Sequence, residues 1–551
     1  MSAKSKRYDI WSTVTLIIFL IYIIMLVFPL LTILVKSVQD GDTGSFSLAY
    51  FKQFFSKKYY YGSLFNSLKV TTCVTILTII LAIPLAYIMA TFKIKGKSAI
   101  QVLILISSMQ APFIGAYSWI LLLGRNGVIT NFMENTFNIT MPDIYGFTGI
   151  LLVLTLQLVP LIYMYLYGAL KNIDKSLLEA AESMGCTGAK KVFKVVIPLI
   201  LPTLLAGALL VFMRALADFG TPMLIGEGYR TVPVLIFNEF ISEVGGDDGF
   251  AAAISVIVII FATAIFLLQK YISNKKAFSM SALHPIEAKK EKGLKNVLAH
   301  IYVYAFTIIA LLPQLTVIYT SFLDTKGRVF SGGYSLKSYE AAFSKMGDAI
   351  GNTFYLAGLS IVVVILLAIL IAYITVRRPN PVTNVLDILT MFPYIVPGSI
   401  LGIALLLSFN KKPLLLSGTA LIMIVSFVIR RLPYTIRSSA AILHQINISV
   451  EEAAISLGAS NIKTFFKIVL PMMLPGVISG AILSWVTIIS ELSTSIILYT
   501  GNTKTMTIAT YTEVIRGNFG VAAALATILS VITIISLLIF FKVTGEKEIT
   551  M

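Results

Sequence analysis

Two carboxylates, Asp218 in the stretch LADFGTP and Glu491 in SELSTS, lie inside long apolar runs and stand 273 residues apart. A charge in hydrocarbon costs about 2.5–3.5 kcal/mol even on lenient insertion scales, so such residues pair or act. Two chemistries suit them. Acids facing each other across a polar passage would favour a cationic or metal-bearing species. Alternatively, each acid lies near the outer end of its helix and accepts from a neighbouring donor. Arg430 and Arg431 lie in another apolar run, where the first half of the chain has Gln157 and Leu158. They suit an anionic or chelated species, but pairing with Asp387, or snorkelling to the cytoplasmic edge, is the favoured expectation. The short polar residues nearby (Gly220, Thr221, Ser490, Ser493, Thr494, Ser495) fit a widened lumen or close helix packing.

Other chemistries lack their residues. His284, His300 and His444 are scattered, Cys73 sits in an apolar run and Cys186 in a polar loop, so no metal or disulfide pattern forms. Gly96-Lys97-Ser98 ends like a phosphate-binding loop, but Thr91 stands where its first glycine is required. A membrane enzyme would need clustered His, Cys or carboxylates at one face, and none is evident.

The elements that must position these residues are helices in a bilayer. Of 551 residues, 57% are apolar and 13% charged, against about 45–50% and 25% in soluble proteins. That excludes an ordinary soluble enzyme, a disordered chain and a nucleic-acid-binding protein, despite the net charge of +17. Crossing a hydrocarbon core of about 30 Å takes roughly 20 apolar residues. Such runs fall near 12–36, 66–91, 99–123, 148–170, 203–225, 250–270, 299–321, 353–376, 385–409, 417–438, 476–499 and 519–542. The expected fold is therefore an all-α polytopic membrane protein of about 12 transmembrane helices. The first run is too long for a cleaved signal peptide and lacks a small-residue cleavage site, so it is retained as a helix. Basic clusters at Lys4–Arg7, Lys93–Lys97, Lys171–Lys194 and Lys275–Lys295 fall in alternate loops and mark one inside face. Lys52, Lys57 and Lys58 depart from that pattern, while the loop 226–249 on the other side is acidic. Both termini are expected on the cytoplasmic side.

The chain repeats itself. LLEAAESMGCTGAKKVFKVVIPLILP at 177–202 matches EEAAISLGASNIKTFFKIVLPMMLP at 451–475, with about half the positions from Glu179 to Pro202 identical. Asn66, Ala86 and Tyr87 match Asn352, Ala372 and Tyr373 at an offset of 286. Two six-helix halves in one orientation are parallel repeats about an axis along the membrane normal. The expected division is 1–273, a Lys-rich cytoplasmic linker at 274–297, and 298–551. In each half a Ser-x-x-Glu pattern (Ser176–Glu179; Ser449–Glu452) reads as a capping box opening a two-turn helix. That helix continues through Glu179-Ala180-Ala181 or Glu452-Ala453-Ala454 and stops at Gly185 or Gly458. Its alanines allow another surface to approach closely. Pro198, Pro202, Pro471 and Pro475 are expected to break the chain before the next span, and Pro160 and Pro433 to kink theirs.

Glu-Ala-Ala, a glycine after three more residues, then Phe-Lys and two prolines, closely resembles the coupling loop of binding-protein-dependent ABC importer permeases. The resemblance covers nearly the whole chain as two fused copies. It implies a type I importer-like fold in the bacterial cytoplasmic membrane. It also implies that the short helices dock on two copies of a cytoplasmic ABC ATPase, which carry the ATP and Mg, so that this chain needs no cofactor and is no enzyme. An extracytoplasmic binding protein would deliver the substrate. Glu179, Ala180, Ala181, Gly185, Glu452, Ala453, Ala454 and Gly458 would carry coupling, and Asp218, Glu491, Arg430 and Arg431 are candidates for the path. LADFGTP and the fused layout resemble the ferric-iron group, although SELSTS departs from it; related groups carry 2-aminoethylphosphonate, thiamine, polyamines or sulfate. An ion-gradient-driven secondary transporter has the same span count and repeats, but no need of a docking helix in each half.

Overall fold

The computed structural model describes residues 10–41, 43–108, 112–241, 247–275, 288, 293–327 and 329–544. Among them nine helices are long and apolar enough to cross a membrane, or eleven if each of two bent pairs is one span. Helices dominate because backbone groups in hydrocarbon must be satisfied within the segment. The expected span at 417–438 is the helix Ala420–Gln445, which carries Arg430, Arg431 and Arg437 and so is less apolar than the rest. The helix Lys337–Arg377 has 41 residues; at 1.5 Å per residue it is about 60 Å long and projects beyond the bilayer. A small antiparallel hairpin, Leu323–Lys326 with Val329–Tyr334, caps this region.

Several spans differ from the expected ones. The run 385–409 is a bent pair, Pro381–Ile395 and Gly398–Ser408, turned by 113°. Pro397 explains the turn: it holds Val396 in an extended conformation, which a helix cannot continue. The run 99–123 bends likewise, between Lys97–Ser108 and a helix beginning at Pro112. The fifth and eleventh spans start earlier than their apolar cores, at Val192 and Asn461, and end at Leu216 and Ile489. Pro198 and Pro471 do not break them. Each is preceded by a widened π-turn, Val192–Val196 or Phe465–Val469, and the helix runs on through Pro202 or Pro475. A proline lacks the N–H that the α-register requires, and an i→i+5 turn accommodates that loss without ending the helix.

The halves are interlocked. The helical segment Ile10–Ser37 reaches across to the second half: Ile10–Tyr22 packs on it, while Phe28–Ser37 packs both on Asp248–Lys275 of its own half and on Gly398–Ser408. Trp11 lies 4.5 Å from the Tyr373 ring and 4.9 Å from Phe465. Leu294–Ser321 reciprocates: Tyr302 Oη donates to the Leu81 carbonyl at 2.8 Å and Tyr304 Oη to Lys95 at 3.1 Å. Most of the expected linker 274–297 lies outside the described residues, and from Leu294 the chain is already helical.

Equivalent clamps fix one end of each half. Asn66 Nδ2 donates to the Arg230 carbonyl, and Asn352 Nδ2 to the carbonyls of Asn502 and Lys504. One residue further on, Ser67 accepts from the Val232 amide and Thr353 from that of Met506. Within the second half, Gly476 and Gly480 let two spans touch. A Cβ on Gly480 would stand 2.6 Å from Thr435 Cα, and one on Gly476 2.7 Å from the Ser438 carbonyl. Four-residue spacing of small residues is what brings helix backbones together in a bilayer. Ser484 bonds both Thr435 Oγ1 and the Arg431 carbonyl at this contact, which sets the height of the two arginines against the helix leading to Glu491.

Candidate functional site

The repeated loops form two short helices, Lys175–Ser183 and Ser449–Ser456. Neither starts with the expected capping box. Asp174 Oδ1 accepts from the Ser176 amide at 2.9 Å, and Asn447 Oδ1 from Ser449 at 3.0 Å. These acceptors are equivalent residues, two positions before each serine, and an Asx side chain there satisfies the same orphan amides. Glu179 therefore does not cap its helix; it pairs with Lys175 one turn back at 3.0 Å. The glycine stops are as expected. Gly185 (φ +75°) and Gly458 (φ +89°) adopt left-handed geometry. Cys186 donates to Ala181 and Gly185 to Glu182, while Ala459 donates to Ala454 and Gly458 to Ile455. Both ends are Schellman motifs.

The helices present one face inward and one outward. Ala181 and Ala454 are buried, while Ala180, Ala453, Glu179 and Glu452 are exposed. Beside the glutamates, three equivalent apolar pairs are also exposed: Leu177 and Val450, Met184 and Leu457, Phe193 and Phe466. Repetition of exposed apolar residues at matched positions singles them out from scattered surface apolar groups.

Each short helix is tied to the bundle differently. In the first half Glu182 pairs with Lys191 at the foot of the next span. Burial pushes that ammonium down, but the Glu182 hydrogen bond and nearby charges outweigh it and hold Lys191 above the ordinary lysine range. In the second half Glu451 is buried and accepts from Arg377 Nε at 2.6 Å, while Arg377 Nη2 donates to the Ile446 carbonyl at 2.7 Å. The sequence reading missed this pair. An arginine ending one span opposite a doubled Glu-Glu in the loop was the available signal.

Asp218 and Glu491 lie at chain breaks, not within helices. Asp218 Oδ1 accepts from the Thr221 amide at 2.8 Å, and Glu491 Oε1 from Thr494 at 3.1 Å. Each acid thereby holds the start of the short helix after the break, Gly220–Ile225 or Ser495–Leu498. The two breaks approach each other, because a Cβ on Gly220 would lie 3.5 Å from Leu492 Cδ2. Asp218→Ala is expected to lower stability by about 1 kcal/mol, as for a lost helix cap. Asp218→Asn keeps an acceptor and should stay within about 0.5 kcal/mol of wild type. Unfolding of the purified chain measures both. Uptake lost in Asp218→Asn with stability kept would assign the charge itself to the path.

The arginines do not take the expected partner. Arg430 bonds Glu491 Oε1, and Arg431 bonds Oε2. Arg430 also donates to Thr494 Oγ1 at 2.9 Å. Asp387 is taken instead by Arg437 at 3.1 Å, about two helical turns further along. Across the contact between halves, Arg214 Nη2 donates to Tyr434 Oη at 3.1 Å. This residue escaped the sequence reading, because its counterpart in the second half is Thr487 and the repeat gave no cue. Among the described residues no three His, Cys, Asp or Glu side chains gather as a metal site.

Repeated spans, a repeated short helix and a repeated polar break define a two-half transport permease. Residues 82–277 and again 333–543 match the family of binding-protein-dependent transport system inner membrane components, and the chain belongs to that family. It is 29% identical over 561 residues to the ferric transport system permease protein FbpB of Actinobacillus pleuropneumoniae, covering 99% of this chain and 80% of that one. A Haemophilus influenzae protein, provisionally named a ferric transport permease, is 30% identical over 89% of this chain and 78% of its own. A Salmonella typhimurium protein provisionally assigned to 2-aminoethylphosphonate transport is 25% identical over 44% of this chain and 86% of its own.

Proposed function

We propose that this chain is the membrane passage of an ATP-driven importer whose substrate is ferric iron delivered by an external binding protein. It resides in the bacterial cytoplasmic membrane with both termini inside. Its halves, 1–273 and 298–551, are joined by a cytoplasmic linker at 274–297. Each half docks one copy of an ABC ATPase through its short helix, and ATP and Mg are held there. The observation that carries the coupling role is the twofold recurrence of one surface: an outward Glu-Ala beside three exposed apolar residues, on a helix locked by a Schellman stop. The interlocked first helices support rigid-body movement of the halves between inward- and outward-open forms. The names of the long relatives support ferric iron. The Salmonella relative supports 2-aminoethylphosphonate as the second substrate reading.

The test is to co-express the chain with the ATPase and binding protein encoded beside it, reconstitute them, and measure ATP hydrolysis. Stimulation is expected with the ferric-loaded binding protein. Stimulation by the phosphonate-loaded form alone would replace the substrate. Failure of any ATPase to co-purify, with uptake following an ion gradient, would make the chain a secondary transporter.

A further inference from the structure

The polar cluster at the contact between halves carries more positive charge than its acid can balance. Arg430 and Arg431 together engage both oxygens of Glu491, and the Thr494 amide is a second donor to Oε1 and the third to the carboxylate. Its single negative charge is thus already shared by two guanidinium groups. Arg214 reaches the same place: its Nη2 donates to the hydroxyl of Tyr434, which lies three and four residues beyond Arg431 and Arg430 on one helix, the spacing that shares a helix face. Three guanidinium groups thus share one carboxylate. Nε of Arg431 is buried with no hydrogen-bond partner. Arg214 stays exposed although it bonds the opposite half, so it remains accessible at this contact. The excess belongs to no repeated feature: Arg430 and Arg431 correspond to Gln157 and Leu158, and Arg214 to Thr487.

Buried cations without counter-charge are costly, and a guanidinium fork is matched by the paired oxygens of a carboxylate or phosphate. We propose that Arg214, Arg430 and Arg431, arranged around Tyr434, form an oxyanion site at the contact between halves. What crosses therefore presents carboxylate- or phosphate-type oxygens to this point rather than a bare cation, which the surplus charge would repel. This deepens the importer reading and rests on it. The oxygens come either from an anion that sheathes a ferric ion or from an organic oxyanion travelling alone.

The test uses the full-length chain purified in detergent without the ATPase, whose nucleotide sites bind phosphate as well. Its thermal midpoint is followed while citrate, phosphate, 2-aminoethylphosphonate or ferric citrate is added, against chloride at matched ionic strength. Oxyanions are expected to raise the midpoint saturably, and chloride not. Arg214→Gln, which leaves the Glu491 cluster intact, should weaken half-saturation at least about tenfold, as for one lost charged hydrogen-bond pair. A larger rise with ferric citrate than with citrate assigns the anion to the metal; equal rises, or one largest with the phosphonate, assign it to a free oxyanion. No oxyanion-specific rise, or an equal rise in Arg214→Gln, would overturn the site. If Arg214→Gln does not fold, Arg214→Lys decides, since it keeps the charge and loses the fork: weaker half-saturation supports the site and an unchanged value rejects it. No ATP or partner enters this measurement, so its failure is separable from a failure of the ATPase assay.

Discussion

Glu491→Ala should destabilise the purified chain by about 3–5 kcal/mol, the cost of leaving buried charges without their partner. The Glu491 side chain is 3% exposed, against 12% and 14% for Arg430 and Arg431. Removing it leaves two nearly buried guanidinium groups facing each other and also frees the Thr494 amide. There is little room for them to turn away, because even a Cβ on Gly398 would overlap Arg430 Nη1. Glu491→Gln keeps an acceptor for the amide but not the charge, and should fall between Ala and wild type. Replacing Glu491, Arg430 and Arg431 together by apolar residues of similar volume should restore much of the loss, since desolvation of all three is then avoided. Denaturant titration in mixed micelles measures each variant. A Glu491→Ala chain within about 1 kcal/mol of wild type would mean that water reaches the arginines and balances them.

The sequence was most legible where physics is periodic or repeated. Apolar runs located the spans, because length in hydrocarbon is a hard requirement. The offset of 273 aligned Gly185 with Gly458 and Asp218 with Glu491, and the structure gives each pair one backbone role. Local polar chemistry was less legible because its patterns are degenerate. Ser176-x-x-Glu179 has the form of a capping box, yet Asp174 two residues upstream is an equally good acceptor and takes the bond. Hydropathy alone also ran Asp218 and Glu491 into their spans, since a break of three or five residues between apolar helices leaves almost no trace in composition. Pairing of arginines was least legible. Asp387 looked to be at a plausible depth for Arg430, but Arg437, seven residues on and on the same helix face about two turns away, is the one at its level, while Arg430 meets Glu491. Arg214 shows the limit of reading by repeats: its role arises from apposition of the two halves, which neither half encodes alone.

On the proposed docking role, Met184→Asp combined with Leu457→Asp should abolish stimulated ATP hydrolysis while leaving the chain folded. These side chains are 81% and 90% exposed, so their own packing contributes little and each change should move stability by no more than about 0.5 kcal/mol. In a docked groove the same residues would be desolvated anchors, each worth about 2 kcal/mol or more on truncation. Two distant anchors add, so the pair should weaken ATPase association by about a thousandfold and one alone by about thirtyfold. Glu179→Ala with Glu452→Ala should do less, since Glu179 already spends its charge on Lys175 at an exposed site. Co-purification of the ATPase and hydrolysis with a loaded binding protein read both effects. Normal co-purification of the double Asp variant would remove these helices from the docking surface. Because the halves are fused, each loop can be altered by itself, and the two are anchored unequally: Glu182–Lys191 ties the first to the foot of its own span, Glu451–Arg377 ties the second to a neighbouring span. If docking strength lies in the exposed face, either single change should cost the same. A larger loss on one side would place part of the coupling in its anchor.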